Sequence, residues 1–294
     1  MTPLFSIIIP TFNRPDLLAR AVESARSQTL SPHEIVIVDD GSEPPARIVD
    51  DPGIRLVRLP ANTGGAKARN AGLAAARGRF TAFLDDDDEL HPRFAELSLA
   101  ALQASSLPPP VAVLSALEIV DDAGRIVGRR VPASSRRGEH YALEEAPEGT
   151  TWLCKQTLFA PTSLLRDLGG FDEAFRSRVH SELFLRLSPV CSLDAIGDVT
   201  YRLHRGSQER VSTDRTLRNT SFDQLVAKHA DVLRAHPRGF ARMLVEHART
   251  LRRQGEAGAA RRVLLRAGTI APRLVISELM PQRVSHVLRA ARRR

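Results

Sequence analysis

Four consecutive aspartates, Asp85 to Asp88, are the residues of this sequence whose types and spacing point most directly to chemistry. They follow the apolar run Phe80–Leu84, which is typical of a buried strand, so four carboxylates meet at a strand end. Adjacent carboxylates repel one another, and a hard divalent cation such as Mg²⁺ or Mn²⁺, which prefers oxygen ligands, would offset that repulsion. A solvated run of acidic residues is the alternative interpretation.

A glycine-rich segment, Asn62 to Gly72, offers a second kind of chemistry. Its first glycines precede a predicted helix, and the backbone amides at a helix N-terminus attract anions. Lys67 and Arg69 would add charge-assisted hydrogen bonds to a phosphate. The alternative is a tight turn followed by a solvated helix.

Asp39 ends a further apolar run and could accept hydrogen bonds from a nucleobase or a sugar. Equally, it could be a turn or capping aspartate ahead of Gly41 and Ser42. A cation site, a phosphate-binding loop and such an acid together predict a pocket for a nucleoside diphosphate.

The elements that must position these residues alternate between strand and helix. Continuous apolar runs predict strands at Phe5–Ile9, Glu34–Val38, Ile54–Leu59 and Phe80–Leu84. Helical patterns lie between them, which predicts an α/β fold with a mainly parallel central sheet. In such sheets ligands bind outside the carboxyl ends of the strands. Polar clusters follow three of these strands, at Thr11–Asn13, Asp39–Asp40 and Asp85–Asp88.

Length and composition narrow the class of protein further. A chain of 294 residues can hold one main domain and an appendage. No apolar run approaches the roughly 18 residues of a membrane span, and no basic segment precedes the short apolar run near the N-terminus, so we expect a cytoplasmic protein. Cys154 and Cys191 lack metal-ligand or redox spacing and are expected to be buried.

The net charge of +8 is concentrated near the C-terminus. Residues 239–294 contain 13 arginines and 3 acidic residues, so this region carries +10 and the rest of the chain −2. Aromatic residues are sparse there, which argues against nucleic-acid binding. A basic helical region that contacts an anionic membrane surface, with Arg289 and Arg292–Arg294 as a patch, and a solvated basic face are the two alternatives.

The motifs in their order strongly resemble glycosyltransferase family 2. They are Pro10-Thr11-Phe12-Asn13-Arg14, Val38-Asp39-Asp40-Gly41-Ser42, Asn62-x-Gly64, Ala68-Arg69-Asn70-x-Gly72 and Phe83-Leu84-Asp85-x-Asp87-Asp88. The resemblance covers about residues 4–100 and 159–207. It implies a GT-A fold over residues 1–210, with a nucleotide-binding half to about residue 117 and an acceptor-binding half from 118 to 210. Residues 211–294 would form a basic, helical C-terminal region.

The resemblance also implies roles for individual residues. Asp85 and Asp87 would be the acids of a D-x-D motif that holds Mg²⁺ or Mn²⁺, and His204 would approach the metal. The donor nucleotide would be bound by Pro10, Thr11, Asn13, Asp39, Asn62, Lys67, Arg69 and Asp86.

The catalytic base is where the sequence departs from the family. The family usually has Glu-Asp in the segment that here reads Val179-His180, in the register fixed by Arg186-Leu187. Inversion requires a base for the acceptor hydroxyl, and an imidazole can act as one at neutral pH. Glu182 is the rival base, and loss of the base is the third alternative.

The sequence therefore predicts a metal-dependent, inverting glycosyltransferase with a nucleotide-sugar donor, UDP or dTDP being favoured. The acceptor would be a hydroxyl group of a glycan, of a lipid-linked acceptor or of a small molecule. A catalytically inactive nucleotide-sugar-binding or scaffold protein is the second hypothesis. A nucleotidyltransferase is disfavoured, because the glycine-rich Arg-Lys loop expected near its first strand is missing. The sugar, the linkage and the oligomeric state are left open.

Overall fold

The computed structural model describes residues 3–47, 51–205 and 214–279. The chain forms two compact units. The first consists of Met1–Tyr141 and Ala146–Phe222, and the second of Ala142–Glu145 and Asp223–Arg294. The expected boundary at residues 210 and 211, the end of the 159–207 resemblance and the patch formed by Arg289 and Arg292–Arg294 lie outside the described residues.

Within the described residues the first unit contains a nine-stranded sheet. Its strands are β1 (Phe5–Thr11), β2 (His33–Asp39), β3 (Ile54–Arg58), β4 (Phe80–Phe83), β5 (Glu89–Leu90), β6 (Val111–Val120), β7 (Ile126–Arg130), β8 (Phe159–Pro161) and β9 (Ser192–His204). They run in the order β3-β2-β1-β4-β8-β6-β9-β5, and β7 pairs with β6. The predicted α/β class is confirmed.

Parallel pairing of the first four strands brings their polar ends to one edge of the sheet. β1 pairs with β2 and β4, and β2 pairs with β3, all in parallel. The register sets Thr11 opposite Asp39, and Leu84 donates its amide to the Ile8 carbonyl just beyond β4. β8 then joins β4 and β6 in antiparallel fashion, and β9 returns parallel to β6. The first four strands thus form a parallel half, and the later strands make the sheet mixed.

The helices cover this sheet in the first unit and make up most of the second. They are α1 (Pro15–Arg26), α2 (Gly65–Ala75), α3 (Phe94–Ala104), α4 (Thr162–Asp167), α5 (Val179–Leu187), α6 (Arg215–Lys228), α7 (Ala230–Ala235), α8 (Pro237–Arg253), α9 (Ala257–Ile270) and α10 (Pro272–Leu279).

The core of the first unit is aromatic and β-branched, as continuous apolar strands require when both faces of a sheet are covered. Phe159 packs against the rings of Phe5, Phe80 and Phe94 at centroid distances of 5.2 to 6.2 Å. Cys154 belongs to this core, and both cysteines are buried and unpaired.

Helix α2 lies directly on β1 and β2 because Gly72 has no side chain. A Cβ at Gly72 would overlap Cγ2 of Ile8 and lie 3.1 Å from Cγ2 of Val38. Real Cβ atoms do not pack this closely, so glycine is required for this approach. The contact fixes the helix that follows the glycine-rich loop against the strands whose ends carry the polar clusters.

The second unit contains the amphipathic helix α8. Its apolar residues recur with the period of a helix and form one buried face. Ala248 and Leu251 of α8 pack with Ala260 of α9. Most arginines of these helices, among them Arg252, Arg253 and Arg261, are exposed. In the described part of the chain, no helix is both long and apolar enough to cross a membrane.

Candidate active site

A cavity of about 600 Å³ opens where β1 and β4 end. Its first wall comes from residues 10–88 and contains the acidic cluster and the glycine-rich loop. Its second wall comes from residues 130–217 and includes the start of α5. The first wall consists of Pro10, Thr11, Phe12, Arg14, Asp40, Asn62, Gly64, Gly65, Ala66, Ala68, Arg69 and Asp85–Asp88.

Asp85, Asp87 and Asp88 bring their carboxylates together beyond the end of β4. One oxygen of each lies within 4.8 Å of the others. The pKa of Asp88 is raised well above its ordinary value, first by burial and then by the charges of Asp85 and Asp87. A divalent cation would stabilise the ionised forms of such a group, and carboxylate oxygens are the ligands Mg²⁺ and Mn²⁺ prefer. These three carboxylates are therefore suitable ligands for the predicted cation.

The buried Asp88 joins this turn to β9. Its carboxylate accepts hydrogen bonds from the Tyr201 hydroxyl at 2.8 Å and from the His204 backbone amide at 3.0 Å. The His204 imidazole instead contacts Glu89 Oε1 at 2.5 Å and does not line the cavity. Of the three predicted metal ligands, the structure brings Asp85 and Asp87 together and places the imidazole of His204 outside their group.

Asp86 is turned towards β1. It accepts a hydrogen bond from Thr11 Oγ1 at 2.8 Å and lies 3.3 Å from the Arg14 guanidinium. Burial raises the pKa of Asp86 to about 6, although Thr11 and Arg14 lower it in part. Asp86, Thr11 and Pro10 all line the cavity, as residues of a donor site should.

Asp39 and Asn13, two further predicted donor residues, hold the loops behind the cavity. Asp39 is fully buried and accepts hydrogen bonds from the amides of Ser42 and Ala46 at 2.8 and 3.0 Å. Burial alone would raise its pKa, but these hydrogen bonds bring it below the ordinary value. Asn13 has a left-handed φ of 54° and accepts the Glu43 amide at 2.8 Å. The side chains lie outside the cavity lining, so the structure favours the turn interpretation of Asp39.

The neighbouring Asp40 organises the glycine-rich loop. Its carboxylate accepts hydrogen bonds from the amides of Thr63 and Gly64 at 2.8 and 2.7 Å. Arg176 closes the loop from the other side by donating to the Thr63 carbonyl at 2.9 Å. Asn62 lies in the cavity lining beside them.

The two cations of the glycine-rich segment have different positions. Arg69 is buried, is ion-paired with Asp85 and donates to the Gly65 carbonyl at 2.9 Å. Lys67 is exposed and does not line the cavity. Arg69 thus connects the glycine-rich loop to the acidic cluster, and Lys67 contacts neither.

His180 lines the cavity at the start of α5. Its ring meets Phe171 edge to face at a centroid distance of 5.4 Å, and the Arg69 guanidinium lies over the same Phe171 ring at 5.7 Å. Burial, and next the charge of Arg69, lower the pKa of His180 to about 4, whereas Asp85 opposes them. The imidazole is therefore neutral at pH 7.

Glu182, the rival base, faces the interior. Its side chain is fully buried and forms two hydrogen bonds with Arg186, at 2.8 and 2.6 Å. Arg186 also donates to the carbonyls of Leu168 and Gly170 at 2.7 and 2.8 Å. Glu182 is absent from the cavity lining in the described chain, and its contacts fasten α5 to the preceding turn.

Several cavity residues carry no clear sequence signal. Phe12 and Arg14 belong to the first quoted motif but received no role, although Phe12 is 39% exposed in the cavity lining. The four cations of the second wall also received no role, and two of them lie between the two segments that the resemblance covers. The four are Arg130, Lys155, Arg176 and Arg178.

The structure shows an α/β fold with a cavity at the carboxyl edge of a parallel half-sheet, and comparisons with known proteins indicate the class of protein. Residues 6–130 match the family model described as glycosyl transferase family 2. Succinoglycan biosynthesis protein ExoO of Rhizobium meliloti is 28% identical over 263 residues, which cover 84% of this chain and 73% of that protein. An uncharacterised glycosyltransferase of Haemophilus influenzae is 26% identical over 230 residues, or 76% of each chain.

A solved structure shares the fold. The structure of S. aureus TarS residues 1–349 in complex with UDP-GlcNAc superimposes with a TM-score of 0.64 at 19% identity, covering 98% of this chain and 87% of that one. The fold is accordingly of the GT-A type. Its relatives identify the chain as a glycosyltransferase, and residues 6–130 match the family that its motifs resemble.

The placement of Glu182 leads to a prediction about stability. Glu182→Gln leaves Arg186 without its buried counter-charge, so we expect the free energy of unfolding to fall by about 3 kcal/mol. Urea denaturation measures this loss. Asp231→Asn, which removes an exposed partner of Arg234 on α7, is the matched control and should have no measurable effect. Unchanged stability with lost turnover in Glu182→Gln would instead identify Glu182 as a catalytic group.

Proposed function

We propose that this protein is a metal-dependent glycosyltransferase that moves a sugar from a nucleoside-diphosphate donor to an acceptor hydroxyl with inversion. The observation that supports this most is the convergence of three carboxylates, the glycine-rich loop and a neutral histidine in one cavity. UDP is the favoured nucleotide because the TarS structure carries UDP-GlcNAc, and dTDP is the second choice.

Asp85 and Asp87 would hold Mg²⁺ or Mn²⁺ in this proposal, with Asp88 behind them. When bound, the cation would offset the negative charge of the diphosphate. Arg69 would lie beside the diphosphate, since its guanidinium connects the loop to Asp85. Pro10, Thr11, Asn62 and Asp86 would line the nucleotide, and Asp39 and Asn13 would keep the strand-end loops in place. Lys67 and His204 would play no direct part.

His180 would act as the base. Its neutral nitrogen would take the proton of the acceptor hydroxyl while the hydroxyl oxygen bonds to the anomeric carbon and the carbon–diphosphate bond breaks on the opposite side. Burial first, and then the charge of Arg69, lower the pKa of His180. A donor diphosphate beside Arg69 would offset that charge and raise the basicity of the imidazole when it is needed.

The name of one relative supports a proposal for the acceptor class. The Rhizobium meliloti relative is named for succinoglycan biosynthesis, which supports a role in polysaccharide synthesis and a glycan or lipid-linked acceptor. A small-molecule acceptor is the alternative within the same reaction.

The metal proposal predicts a change in thermal stability. UDP with Mn²⁺ should stabilise the protein by mass action, by about 2.7 kcal/mol at a ligand concentration one hundred times Kd. EDTA and Asp87→Asn should each remove most of the stabilisation by UDP, as measured by the shift in Tm. Asp122→Asn, at an exposed turn, is the control. An undiminished UDP shift in EDTA would contradict metal dependence.

The base proposal predicts a change in turnover. His180→Gln should lower kcat by about 100-fold to 10,000-fold with little change in the donor KM, because a proton acceptor is lost and the donor contacts remain. Ser181→Ala, at the adjacent cavity position, should keep both constants. Steady-state kinetics with the preferred donor measures the effect. Full turnover of His180→Gln would exclude it as the base.

The exposed arginines of α8 and α9 support a further proposal, that the protein works in the cytoplasm and contacts an anionic membrane surface through its C-terminal region. The protein should then sediment with phosphatidylserine vesicles at low salt and be released at high salt. Equal sedimentation with neutral phosphatidylcholine vesicles would contradict this.

A further inference from the structure

The second wall of the cavity is basic. Among its described lining residues between positions 130 and 217, four are cations and none is Asp or Glu. The carboxylates of the cavity all belong to the first wall, at Asp40 and Asp85–Asp88. One of the four cations, Arg176, is bound to the glycine-rich loop and so belongs with the donor side. Three remain to be explained: Arg130, Lys155 and Arg178.

Lys155 is held among aromatic rings. Its Nζ lies 5.7 Å from the ring centroid of Tyr141 and 6.0 Å from that of Phe184, and it donates to the Trp152 carbonyl at 3.0 Å. Burial and the nearby charge of Arg178 lower the pKa of Lys155 to about 8. The ammonium is thus positive at pH 7 but held at an energetic disadvantage that an anion would relieve.

Arg178 and Arg130 extend the same surface. The Arg178 guanidinium lies 4.8 Å from the ring centroid of Phe222, and burial and Arg218 lower its pKa to about 10. Arg130 donates to the Leu153 carbonyl at 3.4 Å, and burial and Arg205 lower its pKa below the ordinary value. For each of these three cations the pKa is lowered first by burial and then by a neighbouring cation, so an anion bound beside them would favour their charged forms.

The start of α5 adds to this field. Arg178 has a left-handed φ of 59° and precedes the first turn, and no side chain caps the amides of that turn. Helix N-termini carry a partial positive charge and favour anions. His180 lies in this turn, and its pKa responds to Arg69 and Asp85 of the first wall and to Lys155 of the second. The proposed base thus stands between a donor side and a separate cationic side.

We propose that Arg130, Lys155 and Arg178 bind an oxyanion on the acceptor, so that the acceptor sugar carries a carboxylate or a phosphate near the hydroxyl that meets His180. This inference rests on the proposed function, because it assigns the second wall to the acceptor. A charged group anchored here would hold the acceptor hydroxyl at the base and would exclude neutral sugars.

Binding of three matched sugars tests the inference. The probes are methyl glucoside, methyl glucuronide and methyl glucoside 6-phosphate, titrated at low ionic strength into the full chain, with and without UDP and Mn²⁺. At least one acidic probe should bind about tenfold more tightly than the neutral one, as expected for one charge-assisted interaction. A preference for the glucuronide identifies a carboxylate, and one for the 6-phosphate a phosphate.

Lys155→Met assigns the preference to this wall, because methionine keeps the apolar stem between the rings and removes the charge. The preference should then largely disappear while UDP affinity is retained. Lys228→Met, at an exposed position of α6, is the control and should keep the preference. Arg130→Gln, at the edge of the cluster, tests the same point if Lys155→Met does not fold.

Two results would overturn the inference. One is that the neutral probe binds as tightly as both acidic probes. The other is that Lys155→Met loses as much affinity for UDP as for the acidic probe, a result that would assign these cations to the donor site. If UDP still binds together with Mn²⁺ in the first case, the proposed function is retained. Absent UDP binding refutes that function, whereas the titrations without nucleotide still decide the preference for an oxyanion.

Discussion

Repulsion among four adjacent carboxylates is the constraint on which the site depends. The aspartates of the turn after β4 contact several parts of the fold: Asp85 contacts Arg69 of α2, Asp86 contacts Thr11 of β1, and Asp88 contacts Tyr201 of β9, while Asp86 and Asp87 share Arg14. Because the charges must separate, the turn connects three elements that are distant in sequence. The same separation leaves three oxygens close enough to share a cation.

The first wall of the cavity could be predicted from the sequence because its signals are local. Continuous apolar runs mark buried parallel strands, and the topology of parallel sheets brings their carboxyl ends to one edge. This reasoning brought Thr11 and Asp85–Asp88 together correctly. It could not tell which of two adjacent aspartates faces the cavity, and Asp40 rather than Asp39 does so. That choice depends on the bend of the chain after the strand, which hydrogen bonds to Ser42 and Ala46 determine.

The second wall could not be predicted because its charges converge from separate segments. Lys155 and Arg178 are neighbours because β6, β8 and β9 form the mixed part of the sheet. No spacing in the sequence predicts that these two residues come together. Glu182 shows the opposite problem. Its residue type suited a catalytic base, but a partner four residues later on the same helix, Arg186, engages it in a structural ion pair.

The close contact at Gly72 has a mechanical consequence. Because Gly72 places no side chain between α2 and the strands β1 and β2, the helix packs too closely to slide along these strands. We therefore expect the helix, the strand ends and the glycine-rich loop to form one rigid surface. A substrate that contacts these residues would meet a preformed surface. Across the cavity, Arg176 donates to the Thr63 carbonyl and Asn70 of α2 bonds to the Phe171 backbone, so any closing movement of the opposite wall must preserve or break these hydrogen bonds.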